Sequence, residues 1–156
     1  MRRILLILTL VAISPFMLHA QSIDKLTKRA KRGNAEAQFN LGNSYFYGDG
    51  VVQDYAEAVE WFRMAAEKGY AAAQYNLAMC YDKGYGVEQN DAEAAKWYHK
   101  AAKKGIAMAQ CNLGVCYFYG EGVRQDYAEA VRWWRKAAKR GNAEAQHNLY
   151  CIGEGW

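Results

Sequence analysis

This chain has little charge to spare. Its 20 Lys and Arg residues stand against 16 Asp and Glu, a formal net charge of +4, which falls to +2 once Arg2 and Arg3 are set aside. The Lys and Arg residues alternate with Glu and Asp along the chain, so no nucleic-acid footprint builds up. Catalytic motifs are also missing. There is no Gly-x-Ser-x-Gly, no His-Glu-x-x-His and no glycine-rich phosphate loop, so the usual nucleophile-elbow, zinc and nucleotide signatures are absent. Long apolar runs are absent too. The stretch Ile4 to Ile13 is too short to favour a spanning helix and is broken by Ser14-Pro15. No cysteine follows it, which leaves a lipoprotein anchor unsupported. No low-complexity stretch or interdomain linker interrupts the rest, and the length suits one domain.

What the N-terminus does have is the layout of a secretory signal peptide. Arg2 and Arg3 form a positive n-region, Ile4 to Ile13 an apolar core, and Leu18-His19-Ala20 ends in a small residue. Residues 1–20 are therefore expected to be a signal peptide cleaved after Ala20, with an uncleaved anchor as the other reading. The mature chain is expected in the periplasm or outside the cell, with no stable membrane span.

The remainder is dominated by repetition. The stretch from Gly105 to Arg140 reads GIAMAQCNLGVCYFYGEGVRQDYAEAVRWWRKAAKR, and close copies begin at Gly69 and Gly33, each 36 residues apart. A truncated copy follows Gly141. A fixed period of this size marks a stacked-repeat solenoid. Within the unit, Ala109, Leu113, Cys116 and Tyr117 share one helical stripe. Gly120-Glu121-Gly122 ends that helix, because glycine accepts the positive φ of a helix stop. Asp126 with Glu129 has capping-box spacing and starts a second helix to about Lys139, whose Ala130, Trp134 and Ala137 face the first. The caps recur as Asp54/Glu57 and Asn90/Glu93, and the loop glycines as Gly48/Gly50 and Gly84/Gly86. Ile23, Leu26 and Ala30 fall in register with Val59, Phe62 and Ala66, so residues 21–32 are expected to cap the N-terminal end. Repeats are expected at 33–68, 69–104 and 105–140, with a partial C-terminal repeat at 141–156 whose helix lies near Ala143 to Ile152.

The run AxAQxNLGxxYxxGxGVxQDYxxAxxWxxKAAxxG, fitted by Ala35 to Gly69, Ala71 to Gly105 and Ala107 to Gly141, resembles the Sel1-like repeat, a longer-looped relative of the tetratricopeptide repeat. The resemblance implies an all-α fold, a right-handed α/α solenoid of 36-residue helix pairs. The chain departs from it where the family often has proline, at Val52, Glu88 and Arg124. The second copy departs furthest, with Ala78 in place of Gly42 and Gly114, and Asp91 in place of tyrosine.

In tetratricopeptide-like solenoids the first helix of each pair lines a concave face. Carried over by repeat position, that resemblance selects Phe39, Asn43, Phe46 and Tyr47, with Glu36, from the first copy. From the second it selects Tyr75, Met79 and Asp82, with Ala72 and Lys83. The third supplies Met108, Val115, Phe118 and Tyr119, with Cys111. His147, with Glu144 and Cys151, comes from the last helix. This aromatic, Met-rich set suits a protein or peptide ligand. Sel1-like proteins commonly act as adaptors, which implies a non-enzymatic scaffold without a cofactor. A cysteine-rich branch has been assigned β-lactam binding or hydrolysis, but its members bridge the two helices of a pair, and this chain has no second-helix cysteine.

The other chemistry-bearing residues have plain structural readings. Trp61, Trp97 and Trp133 recur at one second-helix position, as core residues do. Asp54, Glu57, Asp126 and Glu129 have the spacing of caps rather than of an acid–base pair. The groups Lys28-Arg29-Lys31-Arg32, Lys103-Lys104 and Lys139-Arg140 sit at helix C-termini, where they complement the dipole; an anionic-ligand patch is the sharper reading. Cys80, Cys111, Cys116 and Cys151 all lie on first helices. Stacked helices stand roughly 8–10 Å apart, beyond the ~7 Å that a disulfide spans. Cys116 with Cys151 is the nearest pair, and free buried thiols are the expectation. His147 and Cys151, four residues apart, share a face that Cys111 could join as a zinc set, the alternative being a groove-lining histidine beside two thiols.

Overall fold

The computed structural model describes residues 15–155, and every regular element among them is an α-helix. Eight helices follow one another: α1 Pro15–Lys31, α2 Ala35–Tyr47, α3 Tyr55–Glu67, α4 Ala71–Lys83, α5 Asp91–Lys103, α6 Ala107–Tyr119, α7 Tyr127–Ala138 and α8 Ala143–Cys151. Each packs chiefly against its neighbours in sequence, the one-dimensional contact pattern of a solenoid. The capping helix α1 begins earlier than the expected 21–32, and the expected cleavage point after Ala20 falls inside it. The rest of the expected signal peptide, residues 1–14, lies outside the described residues. No helix among the described residues is long and apolar enough to cross a membrane.

Local chemistry sets the helix limits. Asp54, Asn90 and Asp126 each accept a bond at 3.0 Å from the backbone N–H three residues on, and so start α3, α5 and α7. Only half of the expected capping box forms. The glutamates at its far end turn down their own helices instead, Glu57 accepting from Trp61 and Glu129 pairing with Arg132. Asn34 and Asn142 cap α2 and α8 in the same way. Tyr70 and Ile106 at the same position of α4 and α6 make no side-chain cap, and their side chains pack against the core instead.

A repeated glutamine joins one helix pair to the next. The last-turn carbonyls of a helix lack intrahelical partners. The buried Nε2 groups of Gln38, Gln74 and Gln110 donate to the carbonyls of Ala30, Ala66 and Ala102 at 3.1, 3.1 and 3.0 Å. Gln146 does the same to Ala138 at 3.3 Å. Glycine closes the stack. Gly122 has φ +68°, and a Cβ on it would stand 2.0 Å from the Asp91 carbonyl oxygen, so only glycine lets this loop rest on the start of α5.

The core runs along the expected stripes. Ala109, Leu113, Cys116, Ala130, Trp134 and Ala137 are buried, and so are Trp61, Trp97 and Trp133. Ala30 is buried and Leu26 packs beside it, as the register with the second helices requires. The small residue of each first helix matches the ring facing it. Phe62 lies where a Cβ on Gly42 would be, and Trp134 where one on Gly114 would be, at 2.6 and 2.5 Å. The degenerate second copy pairs Ala78 with Tyr98 instead, and the Tyr98 hydroxyl donates to Asp82 Oδ2 at 3.3 Å. Beyond α8, Arg135 holds the C-terminal segment through Glu154 at 2.6 Å and the Gly155 carbonyl at 3.2 Å.

Candidate binding site

The first helices α4, α6 and α8 stand in successive units and leave two adjoining cavities between them. One, of about 370 Å³, is walled by Tyr75, Met79, Asp82 and Lys83 of α4 and by Asn112, Val115 and Cys116 of α6. Tyr98 of α5 closes its floor, and Glu121 and Glu144 complete it from the loop and from α8. The other, of about 330 Å³, lies between Val115, Phe118 and Tyr119 of α6 and Glu144, Asn148 and Cys151 of α8, with Trp134 behind them. Val115 and Glu144 line both. The result is a furrow across three first helices, apolar at its base and carboxylate-bearing along its edge.

Its field is negative. Asp82 pairs with Lys83 at 3.1 Å and accepts from Tyr98, whereas Glu121 and Glu144 form no ion pair among the described residues. Burial raises the Tyr75 phenol above its ordinary pKa, and the nearby Glu144 and Asp82 charges raise it further. Burial does the same to Tyr98. Such a furrow favours a cation, which would meet carboxylates and the Tyr75 ring together.

The expected surface residues divide into four groups. Tyr75, Met79, Asp82, Val115, Phe118 and Tyr119 line the furrow. Asn43 and Tyr47 line a separate cavity of about 350 Å³ near α1, with Ser22, Leu26 and Asp49. There Asn43 Oδ1 also accepts from Asn76 at 3.1 Å. Phe39 and Phe46 are half-buried against the core, Phe39 beside Phe62 and Tyr70, Phe46 beside Phe62, Tyr55 and Tyr85. Met108 and His147 are exposed outside these cavities. Cys111 differs from its expected groove position. It is wholly buried because Trp134, larger than Phe62 or Tyr98 at that register, covers it and donates to its carbonyl at 3.1 Å.

Tyr98, Asn112 and Glu121 were not singled out in the sequence. Tyr98 is a second-helix residue, and its hydroxyl, unique at a position otherwise Phe62 and Trp134, was the available signal. The zinc set does not assemble. His147 Nε2 lies 3.4 Å from Cys151 Sγ, but Cys111 is enclosed in the core. No group of three metal-ligating side chains forms among the described residues. All four thiols are free, three of them buried. Burial pushes the Cys80, Cys111 and Cys116 thiols up to about 12.

Comparison with known proteins follows the same register. Residues 35–70, 71–106 and 107–142 each match the family model described as the Sel1 repeat. A protective antigen of uropathogenic Escherichia coli, displaying an SLR fold, superposes with TM-score 0.79 at 45% identity, covering 84% of this chain and 29% of that one. A Sel1 repeat protein from Oxalobacter formigenes superposes with TM-score 0.76 at 39% identity, covering 83% of this chain and 98% of its own. Helicobacter pylori cysteine rich protein B, at 19% identity and TM-score 0.67, shares the fold. The secretory immunoglobulin A-binding protein EsiB of Escherichia coli O6:H1 is 41% identical over 42 residues, which is 27% of this chain and 9% of EsiB. The chain thus spans a small part of EsiB and under a third of the protective antigen.

Proposed function

The chain belongs to the Sel1 repeat family, and on that premise we propose that it is a non-enzymatic scaffold that binds a protein or peptide along α4, α6 and α8. One observation carries the reading. The two cavities that share Val115 and Glu144 form a single furrow, with apolar anchoring surface beside the carboxylates of Glu121 and Glu144, which form no ion pair among the described residues. That combination suits an extended segment carrying a Lys or Arg next to an apolar residue. EsiB is named for binding a protein, which supports a protein as the class of ligand. The expected signal peptide supports placement beyond the cytoplasmic membrane, and N-terminal sequencing of exported protein would test cleavage after Ala20.

A displayed library of random peptides tests the binding reading. Peptides with a basic residue beside an apolar one are expected to be enriched on the immobilised protein. Capture should disappear in Glu144→Lys, an exposed position, and persist in Glu88→Lys, which lies outside both cavities. Enrichment no better than on a blank carrier, or capture unchanged in Glu144→Lys, would overturn the proposal.

A further inference from the structure

A third cavity, of about 630 Å³, lies away from the furrow, where the ends of α5 and α7 meet the start of α6. We propose that it is a binding site for a phosphoryl oxyanion, held by Lys103, Lys136, Lys139 and Arg140. All four line it, and no acidic residue does. None of the four forms an ion pair among the described residues. Lys136 Nζ rests 3.9 Å above the Trp133 ring. The Arg140 guanidinium lies over Gly105, where a Cβ would meet it at 3.0 Å.

A second observation comes from the cavity wall. Trp133 is 7% exposed, and its Nε1 donor has no partner. At the same position of the first repeat, Trp61 Nε1 donates to Glu57 at 3.0 Å. In the third repeat Glu129 is instead held by Arg132 at 2.6 Å, a residue that replaces Glu60. The Trp133 N–H is therefore left as a buried donor without a partner, on a ring that lines the basic cavity and carries Lys136 on its face. A buried donor without an acceptor is costly, and an oxyanion would supply one.

The repeat supplies its own comparison. Where the third copy has Lys103, Lys136, Lys139 and Arg140, the first has Lys31, Met64, Glu67 and Lys68. The middle copy has Glu67, Lys100, Lys103 and Lys104. Helix-dipole complementarity would favour cations in every copy alike, yet the all-cation lining occurs in the last. Three ammonium groups and a guanidinium fork match an anion of more than one charge better than a single carboxylate. The volume is in the range of small-ligand sites. Free phosphate esters and lipid headgroups offer the same phosphoryl chemistry.

The test follows the Trp133 indole N–H by NMR, assigned by its absence in Trp133→Phe. Inorganic pyrophosphate is titrated into the full chain at constant ionic strength, and neutral vesicles with and without phosphatidic acid form a second arm. A saturable shift with pyrophosphate supports a soluble phosphate ligand; a response to phosphatidic acid vesicles alone supports a headgroup. The variant Lys136→Met/Lys139→Glu installs the residues that this chain already carries at Met64 and Glu67, so its helix pair remains compatible with the fold. It is expected to weaken binding by about tenfold or more through loss of charge-assisted contacts. An indole resonance unmoved in both arms, or an equal response in the variant, would overturn the site. Neither result touches the furrow, which lies on other residues.

Discussion

Replacing Gly114 with alanine sets two forces against each other. In a helix interior, alanine is favoured over glycine by about 1 kcal/mol, so propensity alone would raise stability. The packing opposes it. The new methyl carbon would stand 2.5 Å from both Cδ1 and Nε1 of Trp134, closer than carbon atoms approach. Trp134 has little room to retreat, because it is buried, donates to the Cys111 carbonyl at 3.1 Å and packs on Phe118 at 5.3 Å between ring centres. Overpacking of this kind costs about 1–3 kcal/mol, and loss of the indole hydrogen bond adds about 1 kcal/mol. The net expectation is destabilisation by about 1–3 kcal/mol. Urea unfolding followed by far-ultraviolet circular dichroism reads it as a lower midpoint at unchanged slope. Adding Trp134→Tyr recreates the Ala78–Tyr98 pairing of the second repeat, so the double variant should lose less than the sum of the singles. A midpoint that rises in Gly114→Ala, or singles that simply add, would refute the argument that the ring occupies the glycine's missing side chain.

Other outcomes follow from the same structure. Trp133→Ala should destabilise by about 3–5 kcal/mol, the usual range for removing a large core side chain, in the same urea experiment. A thiol reagent at pH 8 should modify only the exposed Cys151 in the native protein, and Cys80, Cys111 and Cys116 only after unfolding, as mass spectrometry of labelled peptides would show. Those three thiols have folded pKa values of about 12 against an ordinary 9.0. The unfolded chain therefore releases protons first. Their contribution to stability is full below about pH 9 and is lost as pH rises towards 12, by up to about 1.4 kcal/mol per pH unit for each thiol. Alanine at all three positions should flatten that part of the stability profile. Nitrocefin turnover by the purified protein should not exceed that of an unrelated control protein; a saturable rate that survives repurification would reverse the scaffold reading.

The period, the helix limits and the caps were legible in the sequence because they are local. Asp126 and the residue three places on are neighbours in any helix start, and Gly120 ends α6 whatever lies around it. The stripes of Ala109, Leu113, Ala130 and Ala137 were readable for the same reason, since one helical period decides them. The outward surface was read less completely. Phe39, Phe46 and Cys111 share first-helix positions with furrow residues, yet the rings set against them decide how deeply each sits. Phe62 draws Phe39 and Phe46 towards the core, and Trp134 seals Cys111 beneath it. Tyr98 reaches the furrow because Ala78 and Asp82 give its hydroxyl a place and a partner. The basic cavity was legible only in part. Lys103 and Lys139-Arg140 read as separate helix ends, with an anionic-ligand patch as the sharper reading, and stacking α7 on α5 and α6 gathers them with Lys136 around Trp133. Sequence determines what each helix is and where it stops; the volume of the side chain facing each position, known only once the helices are stacked, determines which residues remain open to a ligand.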